Sequence, residues 1–209
     1  MRPLLSIILL TFLSCSNNPG PAKNVFPKTN DELKPYQRNS LDLLKLATAN
    51  DIAYHANDSF RVWADGYVGD ALKPYYITRI MHDGAYTYLF WKKQKDSFYL
   101  YNETAAPRVG FERDSLFDVN GDGLKDLVIL QNSMNGHCQP QLANLYCFDF
   151  NKGEFVEITA INTLLSPIFH AEQKTITGEY TCKMIKETYK LKWANGFKLD
   201  TIFYKIMNL

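Results

Sequence analysis

The chain lacks an excess of charge of either sign and is poor in the side chains that most often do chemistry. Its 209 residues include 23 Lys and Arg against 22 Asp and Glu, with 4 His and 4 Cys. Nucleic-acid binding depends on clustered Lys and Arg, and neither this balance nor the spacing supplies a basic stripe. His55, His82 and His170 are scattered without ligand spacing, which argues against zinc. The run from Leu4 to Leu13 is too short to span a bilayer as a mature helix, which takes about 20 residues. What is plentiful is aromatic side chains, 14% of the sequence, in a length suited to one domain with a sizeable core.

Arg2 followed by Leu4-Leu5-Ser6-Ile7-Ile8-Leu9-Leu10-Thr11-Phe12-Leu13 gives the basic and apolar regions of a signal peptide, residues 1–14. Its end, Phe12-Leu13-Ser14-Cys15, resembles a bacterial lipoprotein cleavage site, with a small residue before the cysteine that receives lipid. Phe12 stands where Leu is usual. An ordinary secretory signal cut elsewhere is the alternative, and either reading takes the protein out of the cytoplasm; the expected place is the bacterial cell envelope, lipid-anchored and facing the periplasm or the cell surface. Loss of the leader removes one basic residue and leaves 22 against 22, a formal charge of zero. Residues 15–28, with Pro19, Gly20, Pro21 and Pro27, read as a flexible tether. Residues 29–209 then form a single, mainly β domain.

Within that domain Asp118-Val119-Asn120-Gly121-Asp122-Gly123-Leu124-Lys125-Asp126 has the composition of a calcium loop. Oxygen-bearing side chains alternate at Asp118, Asn120 and Asp122, and Asp126 follows after a turn. Calcium takes six to eight oxygens at about 2.3–2.6 Å, and Gly121 and Gly123 allow a bend tight enough for these carboxylates to converge. The Leu124 carbonyl can add a backbone ligand. An EF-hand would continue into a helix with a bidentate Glu at position twelve. Here position twelve is Ile129, within the strand-like run Leu127-Val128-Ile129-Leu130, so the ion, Ca2+, is expected to be structural.

Upstream, Thr29-Asn30-Asp31-Glu32-Leu33 reads as a helix start, and Leu41, Leu43, Leu44, Leu46 and Ala47 as the apolar face of one helix ending near Asn50-Asp51. Its expected role is to cover an edge or end of a sheet. From Phe60 on, aromatic and β-branched alternation predicts strands at Phe60–Tyr67, Tyr75–Met81, Tyr86–Lys92, Ser97–Tyr101, Asp126–Gln131, Asn144–Phe150, Glu154–Thr159, Thr175–Tyr180, Glu187–Trp193 and Lys198–Tyr204. Asp83-Gly84, Lys152-Gly153 and Asn195-Gly196 supply hairpin turns. The expected fold is all-β, an antiparallel meander with one N-terminal helix. Three aromatic hairpins, Tyr88-x-Phe90 with Phe98-x-Leu100, Tyr146-x-Phe148 with Phe155, and Tyr189-x-Leu191 with Phe197-x-Leu199, suggest propeller-like blades with aromatics on one face.

After Cys15, three cysteines remain, so at most one internal disulfide can form. Cys138 with Cys182 is the favoured pair and Cys147 the spare; other pairings stay open. His137 beside Cys138 invites a thiol-protease reading, but adjacent residues on an extended chain face opposite ways. Trp63, Trp91 and Trp193 are candidates for a sugar-stacking platform, though alternation favours core or rim.

Two resemblances follow from these residues. Phe117-Asp118-x-Asn120-Gly121-Asp122-Gly123-x-x-Asp126-Leu127 looks like the calcium loop of integrin-type (FG-GAP-like) propeller repeats, which implies Asp118, Asn120, Asp122, Leu124 and Asp126 as ligands. The order of that loop, then Tyr146–Phe150 with Glu154–Val156, Phe169–Gly178 and Tyr189–Leu199, is similar to secreted bacterial lipoproteins that inhibit lysozyme-type effectors of bacteria-killing type IV secretion systems. The similarity covers about half of the chain and carries over no catalytic residues. It implies a calcium-stabilised binding protein, not an enzyme, with a protein partner such as a cell-wall hydrolase and a membrane anchor at Cys15. A carbohydrate-binding or surface-adhesion module and a hydrolase of another type are the competing readings.

Overall fold

The computed structural model describes residues 30–49, 55–57, 60–63, 75–107, 109–133, 138–194 and 197–208. The signal peptide, Cys15, the tether, His137, the Asn195-Gly196 turn and the part of the first expected strand beyond Trp63 lie outside these residues, as do the side chains of His55 and Trp63.

A 3₁₀ turn at Asn30–Glu32 leads into helix α1, Pro35–Ala49. The strands that follow are β1 (His55–Asn57), β2 (Phe60–Trp63), β3 (Tyr75–His82), β4 (Ala85–Gln94), β5 (Ser97–Pro107), β6 (Phe111–Phe117), β7 (Asp126–Asn132), β8 (Gln141–Asp149), β9 (Glu154–Glu157), β10 (Pro167–His170), β11 (Thr175–Cys182), β12 (Ile185–Trp193) and β13 (Leu199–Asn208). They form three antiparallel sheets in sequence order, β1 to β5, β6 to β9 and β10 to β13. The mainly β, antiparallel architecture with one helix therefore holds.

The sheets and helix stack as layers. On the second sheet, Leu127, Ile129, Tyr146, Phe148 and Phe155 pack against Ile77, Tyr86, Tyr88 and Phe90 of the first. From its opposite face, Val128, Leu130, Leu145 and Cys147 meet Ile176, Tyr189, Leu191 and Trp193 of the third. This explains the unbroken apolar run in β7: successive strand residues point to opposite faces, and here both faces are interior.

The other face of the first sheet is covered by α1, with Leu33, Leu41 and Leu44 against Tyr76, Ile80, Leu89, Trp91 and Phe98. The helix thus covers a sheet face and not an edge, and Leu46, expected on its apolar side, is exposed. A buried polar contact fixes the docking: Ser40 Oγ lies 2.5 Å from Thr78 Oγ1, which also accepts from Trp91 Nε1 at 2.9 Å.

The first aromatic hairpin does not keep its aromatics on one side. A bulge between Phe90 and Trp91 shifts the pairing so that Phe90 opposes Asn102 while Trp91 opposes Leu100. Tyr88 and Phe90 therefore face the second sheet, and Phe98 and Leu100 face the helix. In the second hairpin Phe148 does oppose Phe155, and both join the same core.

Polar bonds tie the first sheet to the second. Arg79 on β3 donates to Asp114 Oδ2 on β6 at 2.6 Å, and Tyr88 OH donates to the same oxygen at 2.9 Å. The guanidinium lies over the Tyr86 ring, 4.7 Å from its centroid. A buried carboxylate needs such partners.

In the third sheet Gly178 opposes Tyr189, whose ring lies over the bare Cα where a Cβ would sit. The Tyr189 hydroxyl reaches on to the Leu165 carbonyl at 3.0 Å. Gly178→Ala is expected to push the ring out of this seat and to cost about 1–3 kcal/mol. A lower urea midpoint with unchanged slope is the expected reading.

Candidate metal loop at the joint of the second and third sheets

Residues 118–125 join β6 to β7, which opens on Asp126, so a strand, not a helix, follows the turn. Gly121 and Gly123 have φ of +74° and +86°, the left-handed region that a residue without Cβ enters freely. Gly121 has a second reason to be glycine: a Cβ there would stand 2.8 Å from the Ala171 carbonyl oxygen, in the turn between β10 and β11.

The tight turn aims its N–H groups inward. Asp118 Oδ1 accepts from Asn120, Gly121 and Asp122 at 3.2, 2.6 and 3.3 Å, and its Oδ2 accepts from Gly123 at 2.8 Å. Asn120 Oδ1 accepts from the Asp122 amide at 2.9 Å, and Asp122 Oδ1 from Leu124 at 2.8 Å. Asn120 Nδ2 donates to Asp122 Oδ2 at 2.9 Å. Asp118, Asn120 and Asp122 are thus gathered in one turn, and Leu124 closes it.

Asp126 stands apart from them, fully buried. Its Oδ2 accepts from the Val119 amide at 3.0 Å, and its Oδ1 from the Phe148 amide of β8 at 3.0 Å. Burial pushes its pKa up to about 7, against the pull of those two N–H bonds, and the charges of Asp122 and Asp118 add to the rise.

Among the described residues, no group of three or more His, Cys, Asp and Glu side chains stands together as a metal-holding set. The expected convergence of Asp118, Asp122 and Asp126 on one point is therefore not present in this geometry. The loop's own amides take the carboxylate oxygens, and Asp126 is turned toward the strands. The donors still suit a hard cation. They are oxygens on a short turn, each carboxylate has about four lone-pair sites, and the negative field of Asp118 and Asp122 reaches Asp126. Asp122 is exposed.

The remaining contacts show what the loop holds together. Val119 is fully buried in the core between the second and third sheets. Its carbonyl accepts from Trp193 Nε1 at 3.1 Å, and the Trp193 amide donates to the Lys174 carbonyl at 2.9 Å. The loop thus meets β8 through Asp126, β12 through Trp193 and the β10–β11 turn through Gly121. The parts played by Trp193, Phe148 and Ala171 carry no sequence signal, because each acts through its backbone or at long range along the chain.

Cys138 and Cys182 are disulfide-bonded, joining the segment between β7 and β8 to the end of β11, and Tyr180 OH donates to the Cys138 carbonyl at 2.8 Å. Bonded in this way, Cys138 offers no thiolate beside His137. Cys147 is free but buried, and burial raises its thiol pKa, with the Asp126 carboxylate adding to the rise. Of the tryptophans, Trp91 and Trp193 are buried in the core and form no exposed platform.

No family model, curated protein or solved structure matches the chain.

Replacing Asp126 by Ala would leave the Val119 and Phe148 amides buried without acceptors, at about 1–3 kcal/mol each. Asp126→Asn retains an acceptor oxygen and should lose less. Equilibrium urea unfolding of the two variants checks both the loss and its order.

Proposed function

We propose that this chain is a calcium-stabilised binding protein of the bacterial cell envelope, anchored through lipid on Cys15, that engages a protein partner. The observation that carries the reading is the acidic turn fastened to β8 of the second sheet and to β12 and the β10–β11 turn of the third: an ion held there would brace the scaffold and drive no conformational switch. Asp118, Asn120, Asp122, the Leu124 carbonyl and a further lone pair of Asp126 would hold Ca2+, which would supply positive charge to the acidic turn. The chain's own residues position that turn: Asp126 fixes its base, Gly121 lets it approach the third sheet, and Trp193 holds Val119.

In this reading the three sheets are blades of a propeller-like stack. Each is a consecutive meander, and each packs face to face on the next. The motif order shared with inhibitors of lysozyme-type effectors points to a peptidoglycan-cleaving enzyme as the partner to test first. The adhesion alternative needs exposed aromatics along one face, and Trp91 and Trp193, being buried, supply none. The hydrolase alternative loses its thiol candidate to the disulfide.

Calcium is expected to raise the melting temperature over chelator, by an amount equivalent to about 2.7 kcal/mol when free metal is a hundred times the dissociation constant. Asp122→Ala should abolish that difference. Equal melting temperatures in calcium and chelator would remove the metal from the account. Inhibition assays against lysozyme-type enzymes, with pull-down from periplasmic extract, test the partner: a retained and inhibited hydrolase supports it, and undiminished hydrolysis rejects it.

A further inference from the structure

Strand β13 ends the third sheet, with no strand on its far side among the described residues. Such an edge presents a row of unpaired N–H and C=O groups, and proteins usually blunt it with charge, proline, brevity or a bulge. β13 carries one bulge, at Ile202, and little else of this protection. It is ten residues long, contains no proline, and has Asp200 and Lys205 as its only charged residues. Ile202, Phe203, Tyr204 and Ile206 are 53%, 45%, 51% and 56% exposed.

Both faces of the strand contribute to the patch. Tyr204 and Ile206 oppose Tyr189 and Glu187, which point into the protein, whereas Phe203 and Lys205 oppose Lys190 and Thr188 on the outer face. The one irregularity of pairing with β12 lies between Lys190 and Leu191, so Phe203 to Asn208 run in regular register. Ile185, at the far end of β12 and opposite Asn208, extends the apolar surface and is 51% exposed.

We propose that β13 is a self-association edge on which a second copy of this chain pairs antiparallel about a two-fold axis at Tyr204. The sequence is complementary to itself in that register. Tyr204 opposes Tyr204 of the other copy, and Ile206 lies across from the bulge residue Ile202. Lys205 opposes Phe203, where an ammonium over a ring is attractive, and Asp200 opposes Asn208. No like charges face each other, and the apolar cross-strand pairs are of the kind that stabilise sheets. Pairing would satisfy the open backbone groups and join the third sheets of the two copies into one continuous sheet. This inference stands on the edge strand and does not depend on calcium or on the hydrolase partner.

The register makes the test specific. A residue on the axis lies opposite itself, with Cβ atoms about 4.5–5.5 Å apart, while its neighbour meets its own copy only diagonally, at about 7–8 Å. A disulfide needs Cβ atoms about 3.5–4.5 Å apart. The full chain in detergent should sediment as a concentration-dependent dimer, and Ile206→Lys should weaken it about tenfold or more, since charge at an open edge blocks pairing. On oxidation Tyr204→Cys should crosslink into a covalent dimer above the wild-type background, and Lys205→Cys should not. A chain that stays monomeric with no Tyr204→Cys dimer, a dimer unchanged by Ile206→Lys, or equal crosslinking at both positions would overturn the proposal.

Discussion

The structure depends on one buried carboxylate. Asp126 sits at the first position of β7 with no exposed surface, and its two oxygens accept the Val119 amide from the loop and the Phe148 amide from β8. A carboxylate in that environment is costly unless it is well bonded. Its raised pKa shows that burial outweighs the two N–H bonds. The return is geometric: one side chain fixes where the turn leaves the second sheet, which seats Val119 in the core and lets Trp193 of the third sheet bond its carbonyl. The turn is therefore part of the joint between two sheets, and its acidity and its position are aspects of one design.

The layered stack follows from the same economy of burial. The second sheet is apolar on both faces because it lies between the other two, while the first sheet has its outer face covered by α1. Two sets of polar groups inside the stack are bonded across layers, the Arg79–Asp114–Tyr88 group and the Thr104–Tyr146 hydroxyl contact at 2.7 Å. On the third sheet the outer face of β12 carries Lys186, Lys190 and Lys192, and Lys186 meets Glu179 at 2.7 Å. The apolar edge of β13 departs from this pattern, which is why it stands out as a place for association.

Much of this was legible in the sequence, for identifiable reasons. The apolar periodicities of α1, β4, β7, β8, β11 and β12 are strong because each faces a core, and the turn at Asp83-Gly84 has φ above zero at both residues. β6 carries no strand signal, because Phe111-Glu112-Arg113-Asp114-Ser115-Leu116-Phe117 reads as polar. Its buried acid is balanced by Arg79, distant in sequence. β10 carries none either, because it is four residues long and opens on Pro167, which suits an edge position. In the loop, residue types and the following strand were readable, but the direction of each carboxylate was not. Local amides compete for the oxygens, and Phe148 enters from another strand. The helix covers a sheet face and not the expected edge or end, since amphipathicity tells which side is buried but not what covers it.

If Asp126 fastens the loop to the strands, the Val119 and Phe148 amides are locked by the same side chain and open only with the core. Site-resolved hydrogen exchange measures this directly. Both amides are expected to exchange as slowly as the central amides of β7 and β8. Exchange of Val119 at the rate of the exposed Lys152 turn would contradict it.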